Sequence, residues 1–237
     1  MPPKIKRFYK SVHTKFTGRG YGVFLDDRPI RTPKKALLNL PTERLAYAVA
    51  KEWENQEETV ELSTMTMTGF SNTAIDRVVP YRSEVIDELT SYAETDLLCY
   101  RAEGPTQLVE RQMRDWQPHL DWLEQTYGAR LRSTTGVIFI KQDPTALNVI
   151  RGLVGERDDF ALTGLQALTT TIGSIVLGLA TSDGVLDAKG ATAAGQLDEI
   201  FQEGLWGKDL EAASRRDRIG REMASVENFL GLLLSKA

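Results

Sequence analysis

Side chains able to do chemistry are few and widely spaced in this chain. Of 237 residues, one is cysteine and two are histidine. Cys99 could meet His119 as nucleophile and base only through the fold, and within Leu97-Leu98-Cys99-Tyr100 it reads more readily as a small buried apolar group. His13 and His119 are too isolated for a histidine metal site. A lone cysteine allows neither an intramolecular disulfide nor a cysteine cluster. No metal and no cofactor are therefore expected. Carboxylates remain: Asp96 and Glu199 would suit a hydrolase or transferase if one deep pocket held both. Phosphate-binding loops are not expected. Gly204-Leu-Trp-Gly-Lys208 lacks the leading spacing and the hydroxyl after lysine, and Gly18-Arg-Gly-Tyr-Gly22 lacks the spacing of a dinucleotide fingerprint.

Two polar constellations stand out instead. Asp96 and Arg101 flank a short apolar run that stops before Gly104-Pro105. They could pair with each other, satisfy backbone groups as a local clamp, or contact a partner. Further on, Ala193, Leu197, Ile200 and Phe201 form the inward face of a helix, and Glu199 and Glu203 point to the opposite side. Two like charges on one exposed stripe stabilise nothing locally, so either the stripe is plain soluble surface or something basic meets it. Trp206 beside Gly207 is either an apolar helix cap or an interface anchor.

The elements that position these residues are read from hydrophobic period. Up to about Leu40 the pattern is strand-like: Tyr21–Leu25 and Ile30–Thr32 flank the turn signal Asp26-Asp27-Arg28-Pro29, and Ala36–Leu40 ends at Pro41. From Thr42 the period shifts toward 3.6. Thr42 and Glu43 open a helix with Leu45, Val49 and Trp53 on one face. A second helix is expected from about Gly69 to Val78, and a third carries Val85, Leu89 and Tyr92. Val109, Met113, Trp116, Leu120, Leu123 and Tyr127 form the apolar stripe of a long helix, which Pro118 should kink or split. Arg130–Lys141 reads as a late strand centred on Val137-Ile-Phe-Ile140. Asp143-Pro144 opens another helix. Two final helices follow the break at Ser182-Asp-Gly184, the last with a stripe of Ile219, Met223, Val226, Leu230 and Leu233. No internal repeat is present. The expected fold is α+β: a small antiparallel β domain over 1–41, then a mainly helical domain over 42–237 with one strand-like insertion near 130–141.

Composition narrows the function classes. With 41% hydrophobic residues and a net charge of −4, the chain can bury a substantial core and does not suit a general nucleic-acid role. The early basic run of Lys4, Lys6, Arg7, Lys10 and Lys15 reads as a solvated strand face. The start of the chain shows no secretory signal, so a bacterial cytoplasmic protein is expected, or a mitochondrial matrix protein if a eukaryotic member has been processed. Phe160–Ala180 carries no charge, but its threonines, serine and glycines make it a buried core helix rather than a membrane span.

Four segments carry a resemblance to a known family: Leu25-Asp-Asp-Arg-Pro-Ile-Arg-Thr-Pro33 with Leu40-Pro-Thr-Glu-Arg-Leu45 and Glu52-Trp53; Thr73-Ala-Ile-Asp-Arg-Val78; Glu94–Pro105 with the helix through Trp122; and Leu197–Gly207. Together they resemble the assembly chaperone of the F-type ATP synthase catalytic sector that handles the alpha subunit. The chain departs from that pattern at Asp27, where glycine is common, and at Leu62–Met67, where prolines are. The resemblance implies a monomeric, non-enzymatic chaperone with the unassembled alpha subunit as partner. It also implies that an acidic residue of the C-terminal region matters for function. Glu199 aligns best, with Glu203 and Glu211 as alternates. A carboxylate-using hydrolase or transferase and a constitutive adaptor subunit are the competing readings.

Overall fold

The structure, a computed structural model, describes residues 5–207 and 209–234. Lys4 and Lys208, both weighed above, lie outside the described residues. Among the described residues, short strands gather mainly near the N-terminus and there are ten α-helices, an α+β arrangement. Two compact units are formed. The first holds the described residues up to Arg82 with Asp159–Thr163 and those from Asn228 onward, and the second holds Ser83–Asp158 and Gly164–Glu227. The compact units thus divide after Arg82 rather than at residue 41, and β6 returns to the strands after the first helix. The reason is packing, because the first helices bury their apolar faces on the strands.

In the first unit β1 (Ile5–Lys6) pairs with β6 (Thr59–Val60). Strand β2 (Val12–Phe16) runs antiparallel to β3 (Tyr21–Leu25), which also pairs with β4 (Arg28–Pro29) and β5 (Asn39–Leu40). Asp26, rather than Asp27, takes the left-handed conformation at the β3–β4 turn, with φ 52°. Its carboxylate accepts the backbone N–H groups of Lys10 (3.0 Å) and Ser11 (2.9 Å), which holds a non-glycine residue in that shape. The expected second strand Ile30–Thr32 forms only a single bridge, from Arg31 to Leu37, whereas Arg28–Pro29, expected in the turn, form the strand that pairs with β3. Val23 and Leu25 face inward and are buried. They meet α1 (Glu43–Glu54), whose N-cap Thr42 accepts from Leu45 N at 3.2 Å and donates to Leu232 O at 2.7 Å. Helix α2 (Thr66–Thr73) begins three residues before the expected start and widens into a π-helical turn over Ala74–Val78. Glu52 caps α2 from α1 through Met67 N (2.6 Å) and Thr68 N (2.8 Å).

The second unit contains α3 from Ser83 (the helix spans Arg82–Tyr92), α4 (Thr106–Tyr127), α5 (Pro144–Gly155), most of α6 (Asp159–Ile172), α7 (Ile175–Ser182), α8 (Ala188–Gly195), α9 (Leu197–Trp206) and α10 (Leu210–Leu233) up to Glu227. Among the described residues, three helices, not two, follow the Ser182–Gly184 break. Pro118 does not split α4, which is one helix of 22 residues. Its buried stripe is Leu108, Gln112, Trp116, Leu120 and Leu123; Met113 is 60% exposed. A polar glutamine thus takes the place that apolar spacing alone would give to methionine. The charge-free stretch is two helices rather than one. Gly173 takes φ 80°, a conformation that favours glycine, and Ser174 then caps α7 by accepting from Leu177 N at 3.1 Å. No helix among the described residues is long and apolar enough to cross a membrane.

The expected late strand shrinks to β8 (Thr134–Thr135), parallel to β7 (Tyr100–Arg101). Val137, Ile138 and Phe139 are 96%, 77% and 59% exposed. β7 is only two residues long and offers no further edge for them to pair with, so these apolar side chains end in a loop.

Candidate functional site

Asp96 is fully buried and forms no pair with Arg101. It caps the 3₁₀ turn Leu97–Cys99 by accepting from Leu98 N at 3.0 Å, and reaches across to α7, accepting from Ser174 Oγ (2.9 and 3.0 Å) and Val176 N (3.1 Å). Burial raises its pKa to about 6, against the lowering effect of these hydrogen bonds. Arg101 lies over the Trp116 ring, 5.3 Å from its centroid, and donates to Gln112 O (2.7 Å) and Gln117 Oε1 (3.2 Å). Desolvation lowers its pKa. Buried Gln112 accepts from Ala102 N and donates to Asp198 of α9, both at 2.8 Å. Trp116 Nε1 donates to Ala194 O at 2.8 Å. The Asp96 and Arg101 groups are therefore clamps. They fix the 94–105 segment against α7 and α4, and Gln112 ties α4 to α9. Cys99 is buried and its thiol is pushed up to about 12 by burial, which removes it as a nucleophile at neutral pH.

The C-terminal acids sit elsewhere in this unit, at a cleft of roughly 600 Å³ between α9 and α10. Glu199, Gln202, Glu203, Trp206, Arg215 and Arg216 are among its lining residues. The sequence left open what meets the two glutamates. Arg215 pairs with Glu199 and Arg216 with Glu203, so the basic groups come from this chain's own last helix. The Glu203–Arg216 pair is the more enclosed, with side chains 23% and 18% exposed. Gly207 ends α9 with φ 94° and donates its N–H to Glu203 O at 3.0 Å. Asp209 opens α10 by accepting from Glu211 N at 2.8 Å; Glu211 is exposed and does not line the cleft. Trp206 is 79% exposed, which rules out the apolar-cap reading, and Leu205 (59%) and Leu210 (79%) stand open beside it.

Arg215, Arg216, Gln112 and Ser174 were missed by the sequence reading. A signal for the arginines existed: Ser214-Arg-Arg-Asp-Arg218 follows an acidic helix across a short break, and a helical hairpin sets such runs face to face. Asp96 does not line the cleft that holds Glu199. No three His, Cys, Asp or Glu side chains among the described residues converge as a metal site. A cleft with paired charges and an exposed aromatic lip suits binding another polypeptide better than bond chemistry.

Comparison with known proteins decides the class. The model of the ATP12 chaperone protein family matches residues 6–124. The chain belongs to the ATP12 chaperone family. The crystal structure of Atp12 from Paracoccus denitrificans is 41% identical, with a TM-score of 0.94 over 97% of this chain and 99% of that one. The Atu1473 protein of Agrobacterium tumefaciens is 35% identical, with a TM-score of 0.93 over 99% of this chain and 88% of that one. The mitochondrial protein atp12 of Schizosaccharomyces pombe is 25% identical over 91% of this chain and 78% of its own length. Membership in the ATP12 family makes this protein a chaperone and not an enzyme.

Proposed function

We propose that this member of a family of ATP synthase assembly chaperones holds the unassembled alpha subunit of the catalytic sector and releases it when the beta subunit arrives. The observation that carries the reading is the α9–α10 cleft, lined by Trp206, which is 79% exposed, with Leu205 and Leu210 also exposed in the same stretch of chain. Exposed large apolar side chains at a cleft are candidate association sites, and tryptophan is among the residues enriched at interface hot spots. A second such surface lies in the same unit. The side chain of Gln142 accepts from Arg132 N (2.7 Å) and donates to Arg132 O (2.9 Å), closing the base of a loop that presents Val137, Ile138 and Phe139. The choice of client follows from the family resemblance.

A free alpha subunit exposes an apolar face that neighbouring subunits later cover, and a reversible cover needs a moderate interface with a polar rim. Glu199, Glu203, Trp206 and Gly207 are proposed to form the contact surface, with Glu211 next to it; Asp96 and Arg101 support it from behind by fixing the chain. The protein is proposed to act as a monomer in the bacterial cytoplasm, without nucleic acid and without inserting in a membrane. In a eukaryotic member the matching place is the mitochondrial matrix.

Immobilised protein should retain free alpha subunit from a mixture with beta subunit and lose it on adding excess beta. Retention of beta in preference to alpha, or of neither, contradicts the proposal.

A further inference from the structure

The solvent face of the first unit's sheet is unlike an ordinary exposed sheet face, which carries polar side chains. A groove of roughly 440 Å³ runs over it, with Gly22, Phe24, Pro29, Leu37 and Asn39 among its lining residues. Strand alternation puts these residues opposite the buried Val23 and Leu25. Leu37 is 53% exposed although apolar. A Cβ at Gly22 would meet the Phe24 ring at 3.1 Å and the Thr17 methyl at 3.2 Å, so the missing side chain keeps the floor open.

The rim is cationic. Arg19 lines the groove, Lys15 is the register partner of Gly22, and Arg31 is the bridge partner of Leu37, so all three share its face. Residues 5–42 hold nine Lys or Arg against two Asp in a chain whose net charge is −4. None of those nine cations forms an ion pair with a carboxylate among the described residues. Asp26, the nearer acid in sequence, is occupied by the backbone of Lys10 and Ser11.

We propose that this groove docks an acidic segment of a partner protein that carries an apolar side chain, the side chain entering over Gly22 and Phe24 and its flanking carboxylates meeting Arg19, Lys15 and Arg31. Charge complementarity selects the acidic partner, and the apolar floor selects a side chain over a bare phosphate. A nucleic-acid backbone would have no use for that floor. A lipid surface is met by apolar side chains that protrude, whereas this site is concave. The inference goes beyond the alpha-subunit reading, since it uses no residue of the α9–α10 cleft and its test needs no subunit.

The test uses the full-length protein and a labelled 12-residue peptide of alternating glutamate and leucine with a central phenylalanine. Controls are a lysine-for-glutamate peptide, a serine-for-leucine-and-phenylalanine peptide, a short DNA duplex and phosphatidylserine vesicles. The acidic apolar peptide should bind saturably and shift the amide resonances of Gly22, Phe24, Leu37 and Asn39, with every control at least tenfold weaker. Leu37→Glu, and separately Arg19→Glu with Arg31→Glu, should each weaken binding at least tenfold while the unfolding transition stays in place. Equal binding of the serine peptide, the duplex or the vesicles, insensitive to Leu37→Glu, would reduce the face to general anion attraction and overturn the proposal. Absence of amide shifts in the groove would do the same.

Discussion

Replacing Asp96 by asparagine isolates the cost of a charge held without a cation in the second unit. The carboxyl is fully buried, and its pKa rises from 3.8 to about 6 because burial outweighs the hydrogen bonds it accepts. At about 1.4 kcal/mol per unit, ionised Asp96 costs the folded state roughly 3 kcal/mol near neutral pH. The sign follows from proton counting. Between pH 3.8 and about 6 the folded state binds more protons than the unfolded state, so this group's stabilising contribution is full below 3.8 and is lost as pH rises through 6. Asparagine removes that dependence but turns an N–H donor toward Val176 N, whose bond at 3.1 Å is lost. An unsatisfied buried donor costs about 1–3 kcal/mol. Near pH 7.5 the two effects offset, and Asp96→Asn should be as stable as the parent or slightly more so. Near pH 4.5 about 2 kcal/mol of that relative advantage should be gone, because the parent then keeps Asp96 largely protonated. Urea unfolding of both proteins at the two pH values measures the difference, and other titrating groups cancel in the comparison. A stability difference that does not change with pH, or one that favours the parent more at high pH, would refute the reasoning.

Three further outcomes are expected. Gly173→Ala meets no atom within 4 Å but must hold φ 80°, so the loss should be about 1–2 kcal/mol in denaturant unfolding, from backbone strain alone. Gln112→Leu strands Ala102 N and Asp198 and should cost about 2–4 kcal/mol in thermal or urea unfolding. Phe139→Ser removes a side chain that is already 59% exposed, so the melting temperature should not move, while retention of client on a column should fall.

How much was legible in the sequence depended on whether an element's partner was local. Thr42, Asp143 and the stripe of α1 were readable because caps and helical period are set within a few residues. The turn after β3 was readable too, but the left-handed residue moved from Asp27 to Asp26, since the deciding hydrogen bonds come from Lys10 and Ser11. Apolar content alone misplaced Val137–Ile140, because burial needs a facing surface that the two-residue β7 does not supply. The break at Gly173–Ser174 was hidden in an unbroken charge-free run. At the candidate site the acids, Trp206 and Gly207 were singled out by spacing and resemblance. Their ion-pair partners, Arg215 and Arg216, were not, because that pairing exists only once α9 and α10 pack together.

The most direct measurement follows light scattering of purified alpha subunit as it is warmed, with and without equimolar chaperone. The parent should suppress aggregation and Trp206→Ala should fail to, although the variant's fold is unchanged because that ring is open to solvent. Addition of beta subunit should then release alpha into a larger assembly. Aggregation at the same rate with the parent, or full protection by Trp206→Ala, would contradict the claim that the α9–α10 cleft covers the client.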